Sequence, residues 1–229
     1  MTARVDDCTP SQTLGSGCCG EVFTVSGHGD RVLKQYAAMA TFRRMAKMPS
    51  HPGIETILDH RIDSPPYRSL SLRASGRKLD EIDDRKEAES WTLIRSLAEA
   101  LAHAHKHGVC HGHLHPGSIL VDESEEGAAD LTVLDFGTGL VGEIHHIDLG
   151  ESVFYSAPEQ LQSGGRDWSD GHIQKWDVYS FGLIAYRLIH GDAPRGRHFL
   201  KRRERQLAHA DGRTVHLDID AFLEEVLAD

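Results

Sequence analysis

The stretch QTLGSGCCGEVFTVSGHGDRVLKQY, residues 12–36, decides the fold. Apolar residues alternate around glycine-bearing breaks, which predicts two strand-turn-strand units, with GHGD at 27–30 as a tight hairpin turn. Gly15, Gly17 and Gly20 form GxGxxG, and Val22 follows closely. Glycine-rich turns serve many backbones, so the setting carries the information. A strand on each side separates this turn from the strand-to-helix turn of a dinucleotide site. Lys34 lies on the following strand.

Working outward, AAMATFRRMAKM (37–48) predicts a helix closed by Pro49, and TILDHRI and YRSLSLRA predict two further strands. The acidic run LDEIDDRKEAE then opens a more helical half. In SWTLIRSLAEALAHAHKHG, Trp91, Ile94, Ala98, Leu101 and His105 recur at helical spacing, and Gly108 marks the stop. Val178, Phe181, Ile184 and Leu188 repeat the pattern in a second helix that ends before Gly191. Between the helices, SILVDES and LTVLDF predict short strands around an acidic turn at 122–130. The result is an α+β chain without internal repeats or low-complexity linkers.

The 229 residues carry a net charge of -10, which argues against general nucleic-acid binding. The locally basic segment 195–205 is read as a solvated helix face. No stretch approaches the ~20 continuous apolar residues of a membrane span. Four cysteines, Cys8, Cys18, Cys19 and Cys110, form no CxxC pair and no disulfide or zinc framework. The acidic N-terminus lacks the apolar core of a secretory signal, so the expected compartment is the cytoplasm.

Further motifs follow the glycines and Lys34 in order: HPGI from His51, His111, Asp135-Phe136-Gly137, Ala157-Pro158-Glu159, and Asp177 with Gly182. With these the chain resembles the Ser/Thr protein kinases from about Gly15 to His190, and SAPEQL and HPGSILV look most like the bacterial branch. The resemblance implies one two-lobed kinase-like domain over 1–229. Residues 7–74 would form an N-lobe of antiparallel sheet plus one helix. Residues 75–229 would form a mostly helical C-lobe, shortened after its long central helix. It also implies ATP or ADP as ligand, with adenine between Val22, Val32, Leu79 and Leu120, under the lid glycines. Lys34 would pair with the α- and β-phosphates and Asp135 would hold magnesium. Val32 stands where the family usually has Ala, and Lys78 where an acid often meets the ribose.

The catalytic loop departs from the family. Where a kinase reads HRDLKPxN, residues 111–118 read HGHLHPGS. His113 replaces the Asp that accepts the substrate proton, His115 the Lys that steadies the transferred phosphate, and Ser118 the Asn that holds a second magnesium. Phe42 falls where a helix Glu would pair with Lys34, and no acid occurs from 35 to 53. Lys34 is therefore expected to lack its usual partner and to turn to Asp135. Gly112 replaces the Arg that grips a phosphorylated activation segment, and Glu159 is expected either to find another partner, such as one within 195–205, or to stay solvated. The expectation is a pseudokinase that works through an unidentified protein partner, without membrane attachment in this chain. The alternatives are a slow kinase with His113 as base, another ATP-dependent transferase, and a scaffold that binds no nucleotide.

The histidines at 103, 105, 107, 111, 113 and 115 also raise a transition-metal site, with His113, His115 and Asp135 as its ligands. Against it, His105 and His111 occupy ordinary kinase positions, and His103 and His107 share a helical face. Cys18 and Cys19 at the lid tip are read as tolerated small residues, and Trp91, Trp168 and Trp176 as packing residues.

Overall fold

The computed structural model describes residues 4–17, 20–36, 45, 47–82, 87–123, 129–136, 154–162, 170–192 and 194. It shows a protein kinase fold. Strands β1 (Pro10–Gly17), β2 (Gly20–Val25), β3 (His28–Tyr36), β4 (Ile57–Arg61) and β5 (Tyr67–Leu72) form an antiparallel sheet in the order β1-β2-β3-β5-β4. Residues directly opposed in such a sheet share a face. Val22 faces Lys34, Thr24 faces Val32, and Lys34 and Val32 in turn face Ser69 and Ser71. That face looks into the cleft. Leu33 and Leu70 alternate onto the other face, where Val5, Cys8 and Val25 cover them.

The β2–β3 hairpin turn is Ser26-Gly27, two residues ahead of the GHGD turn that the sequence suggests. Val25 pairs with His28, and Gly27 takes the left-handed φ of 74° that a two-residue turn demands. The helix expected at 37–48 lies largely outside the described residues; Met45 is helical and buried.

A second, small sheet joins β6 (Arg77–Lys78), β7 (Ile119–Glu123) and β8 (Ala129–Val133). It packs on α1 (Glu87–Lys106), and α1 packs on α3 (Asp170–His190); the short α2 (Pro158–Gln162) precedes α3. Gly108 at φ 68° and Gly191 at φ 81° close the long helices.

The buried ridges differ from those predicted. Helix α1 buries Leu93, Leu97, Ala100, Leu101 and Ala104 and leaves Trp91 exposed. Helix α3 buries Ile173, Trp176, Ser180 and Ile184 and exposes Val178. In α1 the apolar row chosen from the sequence runs beside the row that the packing selects; in α3 the chosen row holds apart from Val178, since Ile184 is buried and Phe181 and Leu188 pack against the core. No helix among the described residues is long and apolar enough to cross a membrane.

Candidate active site

Between the two sheets lies a cleft of about 550 Å³, within the range of small-molecule sites. Gly15, Gly20, Val22, Val32, Lys34, Lys78, His113, His115, Ser118, Leu120 and Asp135 line it, together with Leu14, Leu72 and Glu55. Leu79 does not. It follows the two-residue strand β6 into a 3-10 turn, and its side chain, 2% exposed, joins the core with Leu114 and Ile119. Leu72 and Leu14, which the sequence reading passed over, supply apolar wall instead.

The lid glycines differ in what they do. Gly15 pairs with Val22 and Gly17 with Gly20 across the β1–β2 ladder; Cys18 and Cys19 at the tip lie outside the described residues. A Cβ at Gly20 would meet the Gln35 carbonyl oxygen at 1.9 Å, and its φ is 146°. Close approach to β3 therefore demands glycine there.

Lys34 has two carboxylate partners. Its Nζ donates to Glu55 Oε2 at 2.7 Å and to Asp135 Oδ1 at 2.6 Å. The expectation that only Asp135 would serve is corrected. The acid missing from residues 35–53 arrives two residues later, just before β4. The Glu55 side chain is 3% exposed and its second oxygen, Oε1, accepts the Asp135 backbone N–H at 2.8 Å. Burial alone would pull the Lys34 ammonium down, but Asp135 and Glu55 outweigh it and raise it well above its ordinary value. Burial opposes the charge on Asp135 too, and Lys34 overcomes it, holding the carboxyl below its usual range.

Asp135 adopts a left-handed backbone, φ 62°, and Phe136 packs behind it, its ring 5.0 Å from that of His111. His111 Nε2 donates to the Leu134 carbonyl at 2.9 Å while Nδ1 accepts the His113 N–H at 3.3 Å, which assigns its tautomer. Asp177 anchors the loop from below, accepting the backbone N–H groups of His111 and Gly112 at 2.8 and 2.7 Å. Gly112 sits at φ 75° and its carbonyl accepts from Gln160 Nε2 at 2.6 Å.

The loop's scaffold is thus ordered, and its chemistry is changed. The His113 and His115 rings lie 4.8 Å apart, centroid to centroid. Burial, with His111 beside it, pushes His113 down to about 4. Burial, with His113 and His111 beside it, pushes His115 to about 3. Both are neutral at pH 7. Ser118 caps the turn that follows: its Oγ donates to the His115 carbonyl at 2.7 Å and accepts the His115 N–H at 3.2 Å.

The sequence-predicted metal ligands do not converge. Among the described residues the group whose ligand atoms come within 4.8 Å of one another is His105, Cys110 and Asp177. Hydrogen bonding accounts for that contact, because Asp177 Oδ2 already accepts from His105 Nε2 at 2.8 Å and from the His111 backbone.

Residues 9–219 match the protein kinase domain family, and the chain belongs to it. It is 30% identical over 186 residues (76% of its length) to calcium-dependent protein kinase 14 of Arabidopsis thaliana, of which it covers 33%. It is 28% identical over 241 aligned residues (90% of its length) to serine/threonine-protein kinase pkn2 of Myxococcus xanthus, of which it covers 26%. Against the DNA damage-responsive serine/threonine-protein kinase RqkA of Deinococcus radiodurans the identity is 29% over 165 residues, 66% of this chain and 23% of the relative. The chain spans a third or less of the length of these relatives. Plant and bacterial kinases both match, so the likeness extends beyond the bacterial branch.

Proposed function

We propose that this chain is a catalytically impaired protein kinase domain, a pseudokinase, which binds ATP or ADP weakly and acts by engaging a partner protein in the cytoplasm. One observation carries the first part. At neutral pH the paired imidazoles of His113 and His115 supply neither the anion that draws off the substrate proton nor the cation that steadies the transferred phosphate.

The cleft fits an adenine nucleotide. Val22, Val32, Leu72 and Leu120 offer apolar faces to the base, and the buried Lys34 ammonium offers a cation to the α- and β-phosphates. Magnesium needs few protein ligands beside phosphate oxygens, so Asp135 can hold one ion. Ser118 is committed to its cap and is a poor second ligand. A bound Mg-ATP would supply a transferable phosphoryl group; this chain's residues bind and orient it but move the proton inefficiently.

The slow-kinase alternative has one observation in its favour. His113 at about 4 is as basic as an ordinary carboxylate, near 3.9, although it lacks the charge. The deciding experiment combines thermal midpoints with and without ATP, ADP and magnesium with a radiolabel transfer assay. We expect a nucleotide-dependent rise, about 2.7 kcal/mol of added stability at roughly a hundredfold excess over Kd. Transfer should stay far below the roughly 1 to 100 turnovers per second of working kinases. Transfer in that range, abolished by Asp135→Ala and nearly lost in His113→Ala, would establish the enzyme instead. No shift at saturating nucleotide would leave a kinase-shaped binding module.

A further inference from the structure

We propose that Glu55 is the positioning residue for the phosphate-binding lysine, holding Lys34 and the Asp135 backbone in register from the entry to β4. Three features support this. First, both carboxylate oxygens are used, Oε2 on Lys34 and Oε1 on the Asp135 N–H, so one side chain sets the two groups that meet the phosphates and the metal. Second, its own backbone is fixed to the strand that leads to Asp135. The Glu55 N–H donates to the Val133 carbonyl at 3.0 Å, and the Val133 N–H donates to the Gly53 carbonyl at 2.9 Å. Ile54 forms a parallel bridge with Val133. Third, an acid stands here between Ile54 and Ile57, in a segment whose neighbours pack into the core.

A buried carboxylate is costly without a partner, so this one is retained where it meets a cation. The physical consequence is that the lysine-glutamate pair belongs to the sheet and its β8 neighbour. Its geometry follows the relation of β3, Glu55 and β8, with no acid required from residues 35–53. The ligand class is a nucleoside di- or triphosphate, because the cleft sets apolar walls for a base beside an oriented ammonium that a phosphate can meet. The proposal rests on nucleotide binding in this cleft.

The test is isothermal titration calorimetry of ADP and of adenosine, in EDTA, on wild type, Glu55→Gln, Lys34→Met and the double variant. Glu55→Gln should weaken ADP about tenfold and leave adenosine within about twofold. In the Lys34→Met background it should change ADP binding no further, because the two residues act as a unit. Equal weakening of both ligands, or a full effect of Glu55→Gln without Lys34, would overturn the proposal. If wild type binds neither ligand, the nucleotide reading fails and Glu55 is judged by a second measurement. Hydrogen exchange of the Asp135 backbone N–H, which Glu55 Oε1 accepts, should run faster in folded Glu55→Ala than in wild type. An unchanged rate would sink the positioning role.

Discussion

Lys34 Nζ lies 2.6 Å from Asp135 Oδ1, joining the larger N-lobe sheet to the second residue past β8. The Asp135 side chain is 39% exposed and lines the cleft, whereas that of Glu55 is 3% exposed, so Asp135 is the partner a metal in the cleft would meet. Asp135→Asn should therefore leave metal-free ADP binding within about threefold of wild type while removing the affinity gained with magnesium. Calorimetry with and without magnesium reads both. A magnesium response that survives the substitution would take the metal away from Asp135.

Restoring one catalytic group should do little. A positioned base contributes about 10²- to 10⁴-fold only where the phosphate clamp and metal ligand are also in place, and such losses are far from additive. His113→Asp alone is expected to raise label transfer by less than about tenfold. The triple variant His113→Asp, His115→Lys, Ser118→Asn should raise it well beyond that, since Asp177 and His111 already hold the loop backbone. Strong activity from the single change would mean that the remaining loop is intact as a machine.

The adjacent imidazoles of His113 and His115 make stability depend on pH. His113 and His115 titrate near 4 and 3 in the folded chain against about 6.5 when unfolded, so the unfolded state takes up more protons below that value. Stability is complete above pH ~6.5 and falls as acid is added toward pH ~4. His113→Asn with His115→Asn should flatten the slope of thermal midpoint against pH in this window. An unaltered slope would place the titrating groups elsewhere.

Much of this was legible because the family's motifs fix backbone geometry. The glycines, Lys34, His111, Asp135 and Asp177 each occupy a place that a short sequence pattern specifies; Gly15, Gly20, Lys34, His111 and Asp135 line one cleft, and Asp177 holds the loop beneath it. Glu55 was missed because the family pattern places the lysine's acidic partner before HPGI, and Glu55 comes after it, just ahead of β4. The signal was an acid between Ile54 and Ile57, at the entry to β4. Leu79 was misassigned because the pattern gives its place in the chain but not the 3-10 turn that points it into the core. The buried ridge of α1 was misread for a related reason, whereas in α3 only Val178 departs from the expected row. Two adjacent rows, Trp91-Ile94-Ala98 and Leu93-Leu97-Ala100, are both largely apolar, and only tertiary packing chooses between them.

The lid offers a test of stability separate from ligand binding. At Gly20 a methyl group would lie 1.9 Å from the Gln35 carbonyl oxygen, against backbone, where no side-chain rotation gives relief, and the φ of 146° is strained for any other residue. At Gly15 a Cβ would meet nothing within 4 Å, and its φ is ordinary. Gly20→Ala should cost about 2 kcal/mol or more, since either the β2–β3 ladder opens or the strand shifts. Gly15→Ala should change stability by no more than about 0.5 kcal/mol, and gains slightly from a less flexible unfolded chain. Urea unfolding of the two variants, compared with wild type at equal m-value, checks the difference. If they lose stability equally, the close approach of β2 to Gln35 is not what fixes glycine at position 20.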